Sequence, residues 1–384
     1  MGCTYTEKEN LEYLNSFREK AAQLRTPVSG SVDLTSRCNL KCSHCFFGEE
    51  REAVKEELST ERWLKIIDEL TEAGCLNLLI TGGEPLLKPG FEKIYTHAKN
   101  SGLIVTVFTN GTLVDKDIAV LFQELPPQAV EISLYGASKD VYESITGKHG
   151  SYEKCLSGIK TLLENNIRVK LKTVLMTKNM DEFHDIENMA AKFGVPFRFD
   201  AALFPCLDHD KAPLAFRVSP EEAVKKELSD PVRFSQWKNY YEKRENYFSE
   251  TEKGLLYRCS AGITNFHITS KGIVKPCLMT NNISFSLSDS LFSKGWQKVM
   301  PQISERIAGS DFQCSGCEKI ALCGYCPAFF ELETGREDVH SDYLCETAQY
   351  RYEAICNPQE AVFSAFCQIK QDGRYGTRKQ KERV

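Results

Sequence analysis

Over the first two hundred residues, short apolar runs alternate with amphipathic stretches on a regular beat. Strand-like runs fall at Ser31–Thr35, Leu76–Thr81, Leu103–Thr109, Ala129–Leu134, Ile167–Leu175 and Pro196–Ala201. Each is short, apolar and bounded by turn-forming residues. Between them apolar positions recur at helical spacing: Thr60–Ala73, started by Ser59 and stopped by Gly74; Phe91–Asn100, stopped by Gly102; and Tyr152–Glu164, with Ser151 as its cap. A further helix, Glu7 to Gln23, precedes the first strand. Six strands alternating with helices predict a parallel sheet whose outer face the helices cover. The expected fold class is therefore α/β, a partial (β/α)6 TIM-like barrel, and in such barrels the working residues lie in loops at the carboxyl ends of strands.

From Asp208 to Leu256 the chain turns charged and helical, punctuated by Pro213, Pro220 and Pro231, and beyond it cysteines cluster. The expected organisation is an N-terminal helical segment (1–29), the barrel (30–207), a helical bridge (208–256), a cysteine-rich iron–sulfur domain (257–357) and a C-terminal helix with a basic tail (358–384). No internal repeat or low-complexity tract interrupts this order.

Composition narrows the function. With 48 basic and 53 acidic residues the net charge is −5, which gives no electrostatic reason to expect nucleic-acid binding. No run has the order of a signal peptide or approaches the ~20 apolar residues needed to cross a bilayer, so the expected location is cytoplasmic, without membrane association. In a reducing compartment, sixteen cysteines point to metal binding or catalysis before disulfides. The basic stretch Lys370 to Arg383 reads as a solvated tail.

Ten of the sixteen cysteines fall in two spaced sets. The first is the loop Cys38-Asn-Leu-Lys-Cys42-Ser-His-Cys45, directly after the first strand. Three thiolates on one loop can hold three corners of an iron–sulfur cube and leave its fourth iron without a protein ligand. A zinc knuckle with His44 as fourth ligand is the alternative for these residues alone.

The CxxxCxxC loop, followed by Thr81-Gly-Gly-Glu-Pro85, Phe108-Thr-Asn-Gly111 and Ile132-Ser-Leu-Tyr-Gly136 at the ends of the next three strands, resembles the signature of the radical S-adenosylmethionine (SAM) superfamily over roughly residues 30 to 201. The resemblance implies a [4Fe–4S] cluster on Cys38, Cys42 and Cys45. It also implies a SAM site formed by Gly82, Gly83 and Glu84 at the methionine end, Ser133 at the ribose, His44 near the adenine, and Asn110 from the third strand's loop. Glycines at the second loop would let the backbone approach a small ligand closely.

The second set is Cys259, Cys277, Cys314-x2-Cys317-x5-Cys323-x2-Cys326 and Cys345. Alone, its CxxC pairs could be zinc ribbons. After this barrel it resembles the SPASM extension of radical SAM enzymes, which binds two auxiliary [4Fe–4S] clusters and would bring the total to three. By that resemblance Cys314, Cys317, Cys323 and Cys345 enclose an outer cluster, while Cys259, Cys277 and Cys326 hold an inner one with an open iron. The remaining cysteines, Cys3, Cys75, Cys155, Cys206, Cys356 and Cys367, read as small hydrophobes, with Cys206 a candidate for the missing ligand.

What the resemblance implies for function is an enzyme that reductively cleaves SAM to a 5′-deoxyadenosyl radical, abstracts a substrate hydrogen and completes an oxidative change. SPASM relatives mostly mature peptides, forming thioether or carbon–carbon crosslinks. The alternatives are a small-molecule dehydrogenase or decarboxylase, a sulfatase-maturing (formylglycine-forming) enzyme, and a non-enzymatic zinc module. Leu278 stands where the sulfatase-maturing branch places an acidic residue. The expected partners are a peptide substrate, a flavodoxin- or ferredoxin-type electron donor and a separate leader-binding protein. No catalytic acid or base is assignable; Tyr135, Asp200 and His209 are candidates by position only.

Overall fold

The structure is a computed structural model and describes residues 7–48, 57–243, 254–288, 290–310 and 312–356. The basic tail, Cys3 and Cys367 lie outside the described residues. After helix α1 (Glu7–Gln23) the chain runs β1 (Ser29–Asp33), α2 (Thr60–Glu72), β2 (Asn77–Thr81), α3 (Phe91–Asn100), β3 (Ile104–Thr109), α4 (Lys116–Glu124) and β4 (Ala129–Ser133). Then come α5 (Lys139–Thr146), α6 (Ser151–Glu164), β5 (Val169–Val174), α7 (Phe183–Phe193) and β6 (Phe197–Asp200). All six expected strands are present, and all are parallel. The partial (β/α)6 barrel is therefore what the chain forms.

Local chemistry sets the helix ends. Ser59 accepts from the Arg62 amide and starts α2, whereas Gly74, at φ +94°, follows its end. Ser151 does not cap α6: left-handed Gly150 is the N-cap, and Ser151 is the first helical residue, its hydroxyl bonded to Lys148 O and Thr146 Oγ1. Alternate strand residues Val32, Leu78, Ile80, Val105, Val107, Val130 and Ile132 are buried, as are Trp63, Ile66, Ile67 and Leu70 of α2. The intervening residues form a polar series. Glu131 pairs with Lys170 and Arg198, and Lys172 sits over the Phe108 ring.

The sheet does not stop at six strands. Its order is β6-β5-β4-β3-β2-β1-β7-β8-β9, with β7 (Asn265–Ile268) parallel to β1, followed by antiparallel β8 (Ile273–Lys275) and β9 (Phe285–Ser286). The cysteine-rich segment thus supplies three strands to the barrel's own sheet. Phe266 of β7 lies over Gly30 of β1, where a Cβ would come within 2.1 Å of the ring, and packs edge-on to Phe292 of α10 (Phe292–Val299) at 4.9 Å.

Contacts divide the chain into two compact units. One comprises Met1–Val218, Gly254–Phe312 and Cys326–Val339, and includes the whole sheet and α12 (Pro327–Thr334). The other comprises Ser219–Lys253, Gln313–Tyr325 and His340–Val384, built from α8 (Pro220–Leu228), α9 (Pro231–Glu242), α11 (Ile320–Cys323) and α13 (Asp342–Cys356). Prolines occupy the first turns of α8 and α9, and a Ser219/Glu222 capping box closes α8. Arg351 of α13 ties this unit together by bonding Glu227 and the Leu322 carbonyl while stacking on Trp237.

Gly30→Ala should cost about 1–3 kcal/mol by overpacking against Phe266. Urea unfolding should show a smaller cost in a Phe266→Leu background, because the two positions share one space.

Candidate active site

The Cys38–Cys45 loop leaves the carboxyl end of β1 and is anchored at both ends. The Lys41 and Ser43 amides donate to Thr146 and Ile145 carbonyls, and Cys45 N donates to Cys42 O. Leu40 N donates to Cys38 Sγ at 3.4 Å, and Asn110 Nδ2 approaches the same sulfur at 3.8 Å while donating to Asn39 Oδ1 at 2.9 Å. Hydrogen bonds to sulfur favour its thiolate, the form that binds metal. Burial pushes the Tyr135 hydroxyl far up, and the thiols of Cys42, Cys45 and Cys38 add to the effect, so all three sulfurs act on one point.

The second loop docks on the first backbone to backbone. Gly83 N donates to Thr35 O and Glu84 N to Arg37 O, each at 2.8 Å. A Cβ on Gly82, whose φ is +135°, would lie 2.3 Å from Thr35 O, and one on Gly83 would lie 2.3 Å from Arg37 O. These glycines let two protein loops approach each other, a role that the sequence assigned to ligand approach. Glu84 is fully buried. It accepts from Thr109 Oγ1 at 2.7 Å and Asn110 N at 2.8 Å, which ties the second loop to the third. Burial pushes its carboxyl up to about 7 against those hydrogen bonds.

The other expected contacts gather at the same end of the sheet. Ser133 closes β4, and the buried His44 ring meets Tyr135 edge-on at 4.5 Å. Asn110 uses its side chain on Cys38, Asn39 and Thr112. Cys206 donates to Cys45 O at 3.3 Å, so it stands beside the first loop. Of the positional acid–base candidates, Tyr135 packs into the Ile145, Met176 and Leu203 cluster, Asp200 caps the Ala202 amide, and His209 pairs with Glu331.

The second set separates into two groups. Burial raises Cys326 to about 12, with Cys277 and Cys259 adding to it, and Cys259 in turn feels Cys277. In the other compact unit, burial raises Cys323 to about 12 and Cys314, Cys345 and Cys317 reinforce it. None of the described cysteines forms a disulfide, and no three His, Cys, Asp or Glu among the described residues are placed to hold one metal ion. A cube asks less of convergence, since each thiolate binds its own iron. All-sulfur donor groups of three, three and four fit iron–sulfur ligation.

Sequence reasoning missed three features. A cavity of about 240 Å³ beside the first loop is lined by Asp33, Ser36, Asp208, His267, Lys271 and Lys275, among others. In its wall, buried His267 bridges Ser31 Oγ (2.8 Å) and Asp33 Oδ2 (3.0 Å). Glu57 and Lys88, both lacking any motif, form a buried ion pair under the loops.

Residues 32–190 match the family model described as the radical SAM superfamily. The chain is 26% identical over 345 residues, 84% of its length and 71% of the relative's, to the antilisterial bacteriocin subtilosin biosynthesis protein AlbA of Bacillus subtilis (strain 168). It is 25% identical over 348 residues, 85% of its length and 96% of the relative's, to an AdoMet-dependent heme synthase of Methanosarcina barkeri. In fold it is similar to Streptococcus suis SuiB bound to precursor peptide SuiA, with TM-score 0.65 and 16% identity over 90% of this chain and 83% of that one.

Glu84→Gln should destabilise the chain by about 1–3 kcal/mol at low pH, because an amide cannot satisfy every donor that the carboxyl accepts. A carboxyl raised from 4.5 to about 7 gives stability that is fully present below pH 4.5 and is lost as pH rises through 7. The gap between wild type and variant in urea unfolding should therefore narrow over that window.

Proposed function

We propose that the chain, whose residues 32–190 match the radical SAM superfamily, is an S-adenosylmethionine-dependent enzyme that matures a peptide by an oxidative crosslink. The observation that carries this reading is the convergence of Cys38, Cys42 and Cys45 on one loop with the Gly82–Glu84 loop docked against it. Cys38, Cys42 and Cys45 would hold a [4Fe–4S] cluster, which would supply the one-electron reduction that cleaves SAM.

The chain's own residues do the rest. Gly82 and Gly83 would present backbone to the methionine end, Ser133 would meet the ribose, and His44 would border the adenine. Cys259, Cys277 and Cys326 would hold an inner auxiliary cluster with one open iron, and Cys314, Cys317, Cys323 and Cys345 an outer one. The cavity beside the first loop would seat a substrate side chain, with the Asp33–His267 pair as the nearest buried acid–base couple. A flavodoxin- or ferredoxin-type protein would deliver the electron, and a separate protein would bind a leader.

AlbA, a bacteriocin biosynthesis protein, and SuiB, crystallised with a precursor peptide, support the peptide substrate. A second reading, decarboxylation or dehydrogenation of a small molecule, is supported by the heme synthase, 96% of whose length this chain spans.

Anaerobically reconstituted protein should release 5′-deoxyadenosine from SAM, and Cys42→Ala should release none; chromatography of the quenched reaction checks this. Iron and sulfide assays should give about twelve of each per chain, falling by about four in Cys323→Ala. Zinc without sulfide would remove the enzymatic reading.

A further inference from the structure

The turn Thr35-Ser36-Arg37, just before Cys38, is gripped from two sides. Its carbonyls receive the second loop's amides, as described above. Its other polar groups converge on the Glu57 carboxylate, whose side chain is only 6% exposed. Thr35 Oγ1 donates to Glu57 Oε1 and Oε2 at 2.8 and 3.0 Å, Ser36 N to Oε1 at 2.8 Å, and Ser36 Oγ to Oε1 at 3.1 Å. Arg37 adds its own amide and Nε to Thr35 Oγ1 at 3.2 and 3.3 Å.

The same carboxylate reaches the second loop. Lys88, which follows the Pro85–Leu87 turn closing that loop, places Nζ 3.7 Å from Glu57 Oε2 and 2.5 Å from Leu58 O, with its side chain 5% exposed. Arg37 bridges in the opposite sense, from Glu57 Oε2 at 3.9 Å to Leu87 O at 3.3 Å. The circuit is closed: first loop, Glu57, Lys88, second loop, and back through Gly83 and Glu84. A buried carboxylate with this many donors has one geometry, and losing a partner leaves an uncompensated charge. Outer contacts of this kind orient metal-site loops.

We propose that Glu57 is a positioning residue which, through Lys88, fixes the spacing between the cysteine loop and the Gly82–Glu84 loop and so sets how tightly SAM is held at the first site. This rests on the proposed SAM chemistry and adds a residue to it.

The test uses the full reconstituted chain and SAM alone, without peptide. Glu57→Gln and Lys88→Met should keep the iron and sulfide content of wild type. Each should raise the KM for SAM on the order of tenfold, while kcat for 5′-deoxyadenosine release changes less than about threefold. The change that SAM induces in the paramagnetic resonance of the reduced cluster should need correspondingly more SAM. The double variant should be no worse than either single one, and Glu57→Asp should recover part of the loss. Wild-type KM and resonance response in both single variants would overturn the inference. So would loss of thermal stability in Glu57→Asp with SAM affinity intact, since that outcome makes the pair structural only. A wild-type chain that binds iron yet fails to cleave SAM would instead overturn the proposed function, and is told apart by that control.

Discussion

Two loops at the carboxyl ends of neighbouring strands meet backbone to backbone, and the rest of the site is arranged around that contact. Gly83 N and Glu84 N bond carbonyls of the turn before Cys38, at distances that exclude a Cβ on either glycine. The parallel β1–β2 register, Asp33 opposite Thr81, places the loops side by side. Glu84, buried and bonded to Thr109 and Asn110, adds the third loop, and Asn110 returns to Cys38. A thiolate loop held at so many points needs little reorganisation to receive a cluster, which is the physical content of a preorganised site.

The second constraint is the polar content of the sheet's other face. Asp33, Glu131, Lys172 and Arg198 lie on strands whose alternate residues are mostly apolar and buried. Buried charges persist only when paired, and the two buried carboxylates here are: His267 meets Asp33, and the more exposed Arg198 meets Glu131. Such a face stabilises less than an apolar one of the same area.

Much of this was legible in the chain. The strand beat and the helix stops at Gly74 and Gly102 follow from local spacing, and each appears where it was expected. Cys314, Cys345 and Cys317 act electrostatically on Cys323, whereas Cys277 and Cys259 act on Cys326. What escaped was non-local. β7 is four residues long with a histidine in its middle, and it joins the barrel's sheet by pairing with β1, more than two hundred residues earlier. Glu57 and Lys88 flank helical or turn segments and belong to no motif; their burial is created by loops that arrive from elsewhere. Thr35, expected to end the first strand, instead spends its hydroxyl on Glu57, and β1 ends at Asp33.

The central claim is that the vacancy left by Cys38, Cys42 and Cys45 is a SAM site bounded by the Gly82–Glu84 loop. Electron–nuclear double resonance on the reduced, reconstituted chain with SAM carrying nitrogen-15 at its amino group tests it directly. The account requires a nitrogen-15 coupling to the cluster's electron spin, showing the amino group on the open iron. A reduced cluster whose spectrum carries no such coupling at saturating SAM would contradict it.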